Sequence, residues 1–456
     1  MSSMQKNMTS GNTTKLLLGF VLPIFIGNIF QQLYLMSDTL IVSRLLGVEA
    51  LAAVGAVSPF SFMVVGFAQG LTMGFTAILS QRFGAGDEEG MRKVYAMSTV
   101  LSISIGVILS IIFTSLSRPM LRLVNTPENI IDMAVDYIST IYIFLLFQVL
   151  YNLYAGVLRS LGDSKSPLVF MIISAVLNII LDIVSIVVFH WGVRGAALAT
   201  VFSQGISALL SFIYIKVKFL ILSPRKGEWK IDSSLVKVLL KVGLPGAFRY
   251  SITAISCIFV QASLNSFGSD SVAAYSVASK IENMVTQFFP ALGIGISTFA
   301  GQNLGAGNTD RVRKGFRSSV YLNIGYSILA YFVCRLFAAP MTYLFVDSAT
   351  SSPLVIEESI YYVNTIGIFF IPLGFIFIFR TGCQGLGSGK IPMLSAFLEL
   401  VARFSTAFSL PKLFGFIGIC LSNAVSWISA GFVLPFVYLA FMRKLEKDHR
   451  DLTIHS

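Results

Sequence analysis

The stretch QRFGAGDEEGMRKV, at residues 81–94, returns in altered form as QNLGAGNTDRVRKG at residues 302–315. An offset of 221 residues, from Gln81 to Gln302, aligns the two GAG triplets and the Arg-Lys pair that follows each of them. Smaller matches extend the repeat: Leu22-Pro23 with Leu244-Pro245, LAAVGAVS at 51–58 with VAAYSVAS at 272–279, RSLGDSKSP at 159–167 with QGLGSGKIP at 384–392, and Gly192 and Gly195 with Gly415 and Gly418. Self-similarity over nearly the whole first half predicts a fold built from two similar halves.

The composition indicates a membrane protein. Of the 456 residues, 55% are hydrophobic and only 12% are charged, and the mean hydropathy is +0.79. A soluble domain carries about 25% charged residues, because its surface faces water. Apolar runs of about 20 residues recur along the chain, which is enough to cross a hydrocarbon core of about 30 Å. These runs must be helical, since lipid offers no partner to an exposed backbone amide.

The predicted fold is all-α and polytopic, with about twelve transmembrane helices. They are placed at 16–43, 52–80, 94–116, 130–158, 167–190, 193–215, 237–266, 273–301, 316–340, 355–381, 391–411 and 415–441. Each half holds an even number of helices, so the halves form a parallel repeat of two pseudo-symmetric six-helix lobes. We expect an N-terminal lobe over 1–220, a cytoplasmic linker over 221–236 and a C-terminal lobe over 237–456.

The net charge of +11 follows the positive-inside rule. Most of the basic residues fall in the tails and the inner loops. Only six fall on the predicted outer side: Arg44, Arg118, Arg122, Arg194, Arg335 and Lys412. Both termini are therefore expected in the cytoplasm, in a multi-pass protein of the cell membrane. This distribution explains the charge without nucleic acid as a partner.

Motifs for chemistry on a bound substrate are not found in the sequence. The GAG loops lack the GxxxxGK[ST] spacing of a nucleotide-binding loop, and no HExxH or GxSxG pattern occurs. The four cysteines are scattered in apolar segments and have no CxxC spacing. We therefore expect neither an enzyme nor a cofactor, and no metal other than a transported Na⁺.

Two carboxylates in the first half lie inside predicted helices, where an ionisable group indicates a functional site. Asn178 precedes Asp182 by one helical turn, so both side chains point to one face. Thr200 on the next helix, and Tyr34 one turn before Asp38, are candidates to complete the cluster. Such oxygen ligands suit Na⁺, and a buried carboxyl can carry H⁺. The alternative is a polar network that only tightens helix packing.

The second half holds a mixed set of charges inside its helices: Arg249, Lys280, Glu282, Arg380, Glu399 and Arg403. Glu399 and Arg403 are four residues apart, so we expect them to neutralise each other. Glu282 lies near Lys280, and Arg249 and Arg380 are further candidate partners. A buried ion-pair network and a direct role in transport both remain open for this half.

Proline and aromatic residues suggest a bend and a substrate cavity. Pro23 and its repeat partner Pro245 each remove a backbone hydrogen bond from a helix, so both are candidate hinges, although a static kink explains them equally well. Polar and aromatic residues near the middle of the membrane are candidates to line a cavity for organic cations: Gln31, Tyr34, Gln148, Tyr151, Asn152, Gln287 and Phe288.

These motifs together resemble the multidrug and toxic compound extrusion (MATE) family. The resemblance rests on the two halves, on LP near the start of helices 1 and 7, on QRFGAGD and QNLGAGN, on LRSLGDSKSP after helix 4, and on NxxxD followed by GVRGAALAT. It covers roughly residues 15–440 and implies a V-shaped, two-lobe exporter of organic cations and other amphiphiles that works in exchange for Na⁺ or H⁺.

Within that family the chain resembles the branch with its coupling site in the first lobe. The resemblance assigns the cation site to Asp38, Asn178, Asp182 and Thr200, the surrounding network to Tyr34 and Asn152, and the bend to Pro23. Arg249 stands near the position where another branch has a glutamate on helix 7, so a Na⁺ site of that type is not expected.

The predicted function is therefore a secondary active exporter, driven by an inward gradient of Na⁺ or H⁺ through alternating access. A lipid-linked precursor flippase of the same superfamily is the alternative, although its pyrophosphate substrate calls for basic cavity residues. The expected partners are small amphiphilic or cationic molecules and the lipid bilayer, and the protein is expected to act as a monomer.

Overall fold

The computed structural model describes residues 7–346 and 352–454, with side chains as far as Lys447. Within these ranges all regular secondary structure is helical. The α-helices are α1 (Thr13–Leu46), α2 (Val48–Gly84), α3 (Glu88–Leu123), α4 (Glu128–Ile143), α5 (Leu145–Ser160), α6 (Lys165–Ile183), α7 (Gly192–Lys218), α8 (Ser233–Leu264), α9 (Ser269–Val285), α10 (Phe288–Gly305), α11 (Thr309–Tyr343), α12 (Pro353–Ile366), α13 (Phe370–Gly385), α14 (Lys390–Ala407), α15 (Leu410–Phe414) and α16 (Phe416–Ile454).

Most of these helices are long and apolar enough to cross a membrane. In the described residues there are ten such spans, some of them formed by two consecutive helices, and the pair α4 and α5, bent by 48°, makes an eleventh. The remaining predicted span, 391–411, corresponds to α14, which has only 18 residues. Lys390, Glu399 and Arg403 all fall within those 18 residues, so α14 carries three charged residues and is not among the ten apolar spans.

The two quoted stretches form the same turn in both halves. Gly86 and Gly307 have φ angles of 67° and 72°, in the left-handed region that glycine adopts without strain. Asp87 then caps α3 by accepting a hydrogen bond of 2.8 Å from the Gly90 N–H, and Asn308 caps α11 in the same way. The repeat in sequence is thus a repeat in backbone conformation.

The helices group into two compact units. Unit 1 comprises Met1–Met8 and Leu22–Ser251, and unit 2 comprises Thr9–Val21 and Ile252–Ser456. The first residues of α1 therefore group with the second half of the chain, and α8 as far as Ser251 groups with the first half. The predicted lobes over 1–220 and 237–456, with a linker over 221–236, stay a prediction.

Two glycines permit close packing of the starts of α8 and α1 within their units. A Cβ on Gly74 of α2 would collide with the backbone of Gly243 in α8, so this glycine permits a close approach within unit 1. In unit 2, a Cβ on Gly295 of α10 would lie 2.5 Å from Cγ2 of Val21 in α1. Gly74 and Gly295 are 221 residues apart, the offset of the repeat. In each unit a glycine at the same position of the repeat thus allows the start of a helix, α8 or α1, to pack closely against it.

Pro23 and Pro245 both lie inside continuous helices, α1 and α8. The hinge at these prolines stays a prediction.

Candidate functional site

The predicted cation cluster of the first half lies together inside unit 1. α1 contributes Tyr34 and Asp38, which are 9% and 5% exposed, one turn apart on the same face. α6 contributes Asn178 and Asp182, both fully buried. The Nδ2 group of Asn178 donates a hydrogen bond of 3.4 Å to Oγ1 of Thr200 on α7. Three helices therefore bring these side chains to one place.

The cluster presents several oxygens without a hydrogen-bond partner within the described part of the chain. They are the hydroxyl of Tyr34, Oδ1 of Asp38, Oδ1 of Asn178 and both carboxylate oxygens of Asp182. Buried polar atoms are normally hydrogen-bonded, and each exception calls for an explanation. Hard oxygens of this kind are the ligands that Na⁺ prefers, and the two carboxyls can also hold H⁺. The donor set fits either ion.

The two carboxylates act on each other. Asp38 and Asp182 interact directly, although they belong to helices α1 and α6. Within the described residues, no basic side chain is among the groups that interact with either carboxylate. Like charges at close range in a low-dielectric site repel strongly, so the pair is most stable when a cation lies between the carboxylates or a proton neutralises one.

Tyr137 is a neighbour that the sequence reasoning missed. It lies on α4, is 7% exposed, and interacts electrostatically with Tyr34, Asp38 and Asp182. The repeat gave a sign of it in the sequence. The offset of 225 that relates RSLGDSKSP to QGLGSGKIP pairs Tyr137 with Tyr362, so a tyrosine occurs at this position in both halves. α4 therefore belongs to the site along with α1, α6 and α7.

A local change of helix type follows Asp182. α6 ends at Ile183 and continues as a π-helical turn over Val184–Val188. Oγ of Ser185 donates a hydrogen bond of 3.1 Å to the carbonyl of Asp182. π-turns inside helices are often found at functional sites. The uninterrupted apolar run of this region gave no sign of it in the sequence.

The buried charges of the second half form two connected groups in unit 2. The first is an ion pair in which Nη1 of Arg380 donates to Oε1 of Glu399 at 3.1 Å, with both side chains less than a tenth exposed. Ser395 donates a second hydrogen bond to the same oxygen. The predicted pairing of Glu399 with Arg403 is wrong, because Arg380 on α13 supplies the guanidinium group.

Arg403 belongs to the second group. Its Nη1 donates to Oγ of Ser256 at 2.8 Å, and its Nε donates to Oδ1 of Asn423 at 3.3 Å. Nδ2 of Asn423 donates to the hydroxyls of Tyr275 and Tyr362. The hydroxyl of Tyr362 in turn donates to Oε2 of Glu282 at 2.9 Å. Arg403 and Glu282 are thus connected through Asn423 and Tyr362.

A sequence profile described as MatE matches residues 23–184 and 245–409, one segment in each half and together more than half of the chain. The chain belongs to the MATE family. "Probable multidrug resistance protein YoeA" of Bacillus subtilis (strain 168) is 32% identical over 311 residues, 67% of each chain. "Probable multidrug resistance protein YpnP" of the same organism is 35% identical over 308 residues, 67% of this chain and 68% of that protein.

A solved structure gives the fold. "Crystal structure of MATE in complex with MaL6" is 23% identical, with a TM-score of 0.91 over 98% of this chain and 100% of that chain. MATE structures have twelve helices in two lobes, so the predicted all-α fold is confirmed. The prediction of a multi-pass membrane protein is confirmed as well. MATE proteins are transporters, and this chain is accordingly not an enzyme.

Two of the predicted charges of this MATE protein lie outside the unit 2 groups. Arg249 falls in unit 1, where its guanidinium group stacks 4.0 Å from the ring centroid of Tyr250. Lys280 is exposed, with its Nζ 5.8 Å from the ring of Phe345. Neither contributes to the hydrogen bonds described for Arg380, Glu399, Arg403 and Glu282. Four of the six predicted charges thus take part in the two groups described above.

The predicted cavity residues divide between the two units. Gln31, Tyr34, Gln148, Tyr151 and Asn152 belong to unit 1, while Gln287 and Phe288 belong to unit 2. Gln31 is exposed, and Gln148, Tyr151 and Asn152 are half-buried on unit 1 helices.

In unit 2, Nε2 of Gln287 donates to the Asn283 carbonyl at 2.8 Å, and Phe288 stacks on Tyr326 with ring centroids 4.2 Å apart. Phe288 is 4% exposed, so its ring serves packing within unit 2. A substrate contact by any of the cavity residues stays a prediction.

Proposed function

We propose that this MATE transporter is an antiporter that exports organic cations and other amphiphiles in exchange for Na⁺ or H⁺. The coupling ion binds the cluster of Tyr34, Asp38, Asn178, Asp182 and Thr200. The observation that supports this most is the pair of buried, interacting carboxylates with unpartnered oxygens. The printed names of YoeA and YpnP support drugs as the substrate class.

An ion gradient is the energy source that the site suits. The sequence contains no ATP-hydrolysing motif, and each elementary charge that crosses the membrane gains roughly 2.3 kcal/mol per 100 mV. Coupling requires that the ion and the substrate favour different states of the protein. Na⁺ or H⁺ on Asp38 and Asp182 removes the negative charge that attracts an organic cation, so the two ligands compete.

The proposed orientation places both termini and the GAG loops in the cytoplasm of the cell. It rests on the excess of basic residues in these segments, including Arg82, Arg92, Arg313 and Lys314. With this orientation the protein expels its substrate from the cell. A monomer suffices for this mechanism, since both halves are on one chain.

The flippase alternative is not favoured. A lipid-linked pyrophosphate needs basic groups at its binding site, whereas in the part of the chain that the structure describes no basic side chain interacts with Asp38 or Asp182. The buried basic residues of unit 2 are engaged with protein partners: Arg380 with Glu399, and Arg403 with Ser256 and Asn423.

The deciding experiment measures efflux of a cationic dye from proteoliposomes under an imposed Na⁺ gradient and, separately, under a pH gradient. Asp38→Asn and Asp182→Asn keep the shape of the side chains and remove their charge. Both are expected to abolish gradient-driven efflux. Asp136→Asn, at an exposed position on α4, is the matched control and should transport normally. Wild-type rates with unchanged ion dependence in both aspartate variants would contradict the coupling site.

A further inference from the structure

A cavity of about 510 Å³ opens in unit 2 between α11, α13 and α16, near the ends of these helices that lie beside the GAG loop of residues 305–307. Its walls combine three guanidinium groups with aromatic and aliphatic side chains. The basic part is formed by Arg313, Arg317 and Arg443. The apolar part is formed by Phe316, Val320, Phe379, Pro435, Tyr438, Leu439 and Met442. The proposed function does not use this cavity.

The internal repeat provides a comparison, because the corresponding groove of unit 1 is filled by the chain itself. α7 ends at Lys218, and the chain then turns back so that Phe219 and Leu222 are buried, 4% and 1% exposed, in a core cluster of unit 1. Tyr95 and Tyr154, the repeat partners of Phe316 and Phe379, belong to the same core cluster.

The charges follow the same pattern. Arg92, the repeat partner of Arg313, forms a two-oxygen contact of 3.0 and 3.1 Å with Glu228 of the linker. In unit 2, α16 continues as one helix to Ile454, so within the described residues no turn of this kind fills the groove. Arg313 pairs with Glu446 at 2.7 Å, whereas Arg317 and Arg443 form no ion pair within the described side chains.

A ligand that fills this cavity must therefore combine a negatively charged group with an apolar chain. Arg317 and Arg443 leave an excess of positive charge at one end of the cavity, which favours a phosphate group. The stacked rings of Phe316 and Tyr438, with centroids 4.1 Å apart, and the side chain of Phe379 offer an apolar wall to an acyl chain. Basic pockets between transmembrane helices are suited to lipid head groups.

We propose that this cavity, defined by the ten residues above, binds one anionic glycerophospholipid from the leaflet beside the GAG loops. Arg317 and Arg443 hold the phosphate, and one acyl chain lies along Phe316, Phe379 and Tyr438. The lipid takes the place in unit 2 that the linker segment of Phe219 and Leu222 has in unit 1. The proposal does not depend on what the protein transports or in which direction.

The test uses the purified, delipidated full chain in detergent. Phosphatidylglycerol, phosphatidylcholine and inorganic phosphate are added separately, while the unfolding temperature and the lipid-bound mass in native mass spectrometry are recorded. Phosphatidylglycerol should raise the unfolding temperature and give a one-lipid adduct, and phosphatidylcholine should do so far less. An equal effect of inorganic phosphate would indicate a small-anion site and would overturn the proposal, as would equal effects of both lipids.

Two sets of variants locate the site. Arg317→Gln combined with Arg443→Gln should weaken phosphatidylglycerol binding by about tenfold or more. Lys314→Gln combined with Lys444→Gln removes the same charge from neighbouring exposed positions that do not line the cavity, and should leave binding unchanged. Val320→Trp fills the cavity without changing charge and should also abolish the adduct. Loss of binding in the lysine pair, or full binding by both the arginine pair and Val320→Trp, would overturn the proposal.

Discussion

Arg403 stands at the position in the second half that Asn178 holds in the first half, 225 residues earlier. Each side chain donates a hydrogen bond to a matching partner: Asn178 to Thr200, and Arg403 to Asn423, the residue that corresponds to Thr200. A guanidinium group thus replaces a neutral amide at the same place in the repeat. The positive charge of Arg403 takes the place of a bound Na⁺ or H⁺ at this position of the second half, which supports the proposal that the coupling ion binds in the first half alone.

The stability of the protein is expected to depend on the planar guanidinium group of Arg403. It is 7% exposed and donates to Ser256 and Asn423 through two different nitrogens, a geometry that a lysine ammonium does not reproduce. Arg403→Lys should therefore lower the free energy of unfolding by about 1–3 kcal/mol, measured by thermal unfolding in detergent. Arg335→Lys, at an exposed position on α11, should have little effect. Equal stability of Arg403→Lys and the wild type would show that charge alone matters there.

The ion pair between Arg380 and Glu399 should behave as a buried pair. Arg380→Gln or Glu399→Gln alone leaves the other charge without its ionic partner and should cost about 3–5 kcal/mol of stability. The double variant Arg380→Gln with Glu399→Gln should be more stable than at least one single variant, because no lone charge remains. A double-mutant cycle on unfolding free energies measures this coupling. Additive effects would contradict a direct interaction.

Glu399→Gln should also impair ion-driven efflux less than Asp38→Asn or Asp182→Asn does. Its carboxylate is engaged with Arg380 and Ser395, whereas both oxygens of Asp182 are unpartnered in the described structure. Dye efflux from proteoliposomes, corrected for the amount of folded protein, gives the comparison. A complete loss of efflux in folded Glu399→Gln would move the coupling site toward unit 2.

Asn178→Ala and Thr200→Ala should weaken ion dependence without abolishing transport. Each removes one neutral oxygen from the proposed site and leaves Asp38 and Asp182 in place. The ion concentration for half-maximal efflux should rise several-fold, while the maximal rate changes little. Ser58→Ala, at a serine of α2 that hydrogen-bonds its own helix, is the control. An unchanged half-maximal concentration in both variants would exclude these side chains as ligands.

Gly74 should not tolerate a side chain. A Cβ at this position meets the backbone of Gly243, so Gly74→Val forces α2 and α8 apart and should cost about 1–3 kcal/mol or more. Gly55→Val on the same helix has no atom within 4 Å of the added Cβ and serves as the control. The unfolding temperature and the folded yield in detergent report the difference. Comparable losses in both variants would point to a general intolerance of α2.

The linker contact should be sensitive to acid. Burial raises the pKa of Glu228. Hydrogen bonds from the Arg225 backbone N–H and the Arg92 side chain together lower it by a larger amount, so its pKa lies below the usual glutamate value. A lowered pKa in the folded state adds stability above the unfolded value of about 4.3, and this stability is lost as the pH falls through the folded value. Glu228→Gln should thus destabilise the protein at neutral pH and reduce the difference in unfolding temperature between neutral and acidic pH. Glu49→Gln is the exposed control.

The sequence was sufficient to predict much of the fold and to select the residues that lie together in the unit 1 cluster, for physical reasons. Apolar runs and the repeated GAG loops mark the helices and their turns, and NxxxD fixes two side chains on one helix face. The partner of Glu399 could not be read in this way, because Arg403 is near in sequence while Arg380 is near in space. Tyr137 and the π-turn after Asp182 depend on packing between helices, which periodicity does not encode.

The grouping of the start of α8 with unit 1 has a consequence for synthesis of the chain. A ribosome that has made residues 1–220 has not yet made the segment through Ser251 that completes unit 1. Residues Thr9–Val21 are made near the start, yet their contacts in unit 2, which include Gly295 and Arg311, are made only after unit 1 is complete. The start of α1 therefore lacks its partner helix α10 until residue 305 of 456 has been made, about two-thirds of the way through translation.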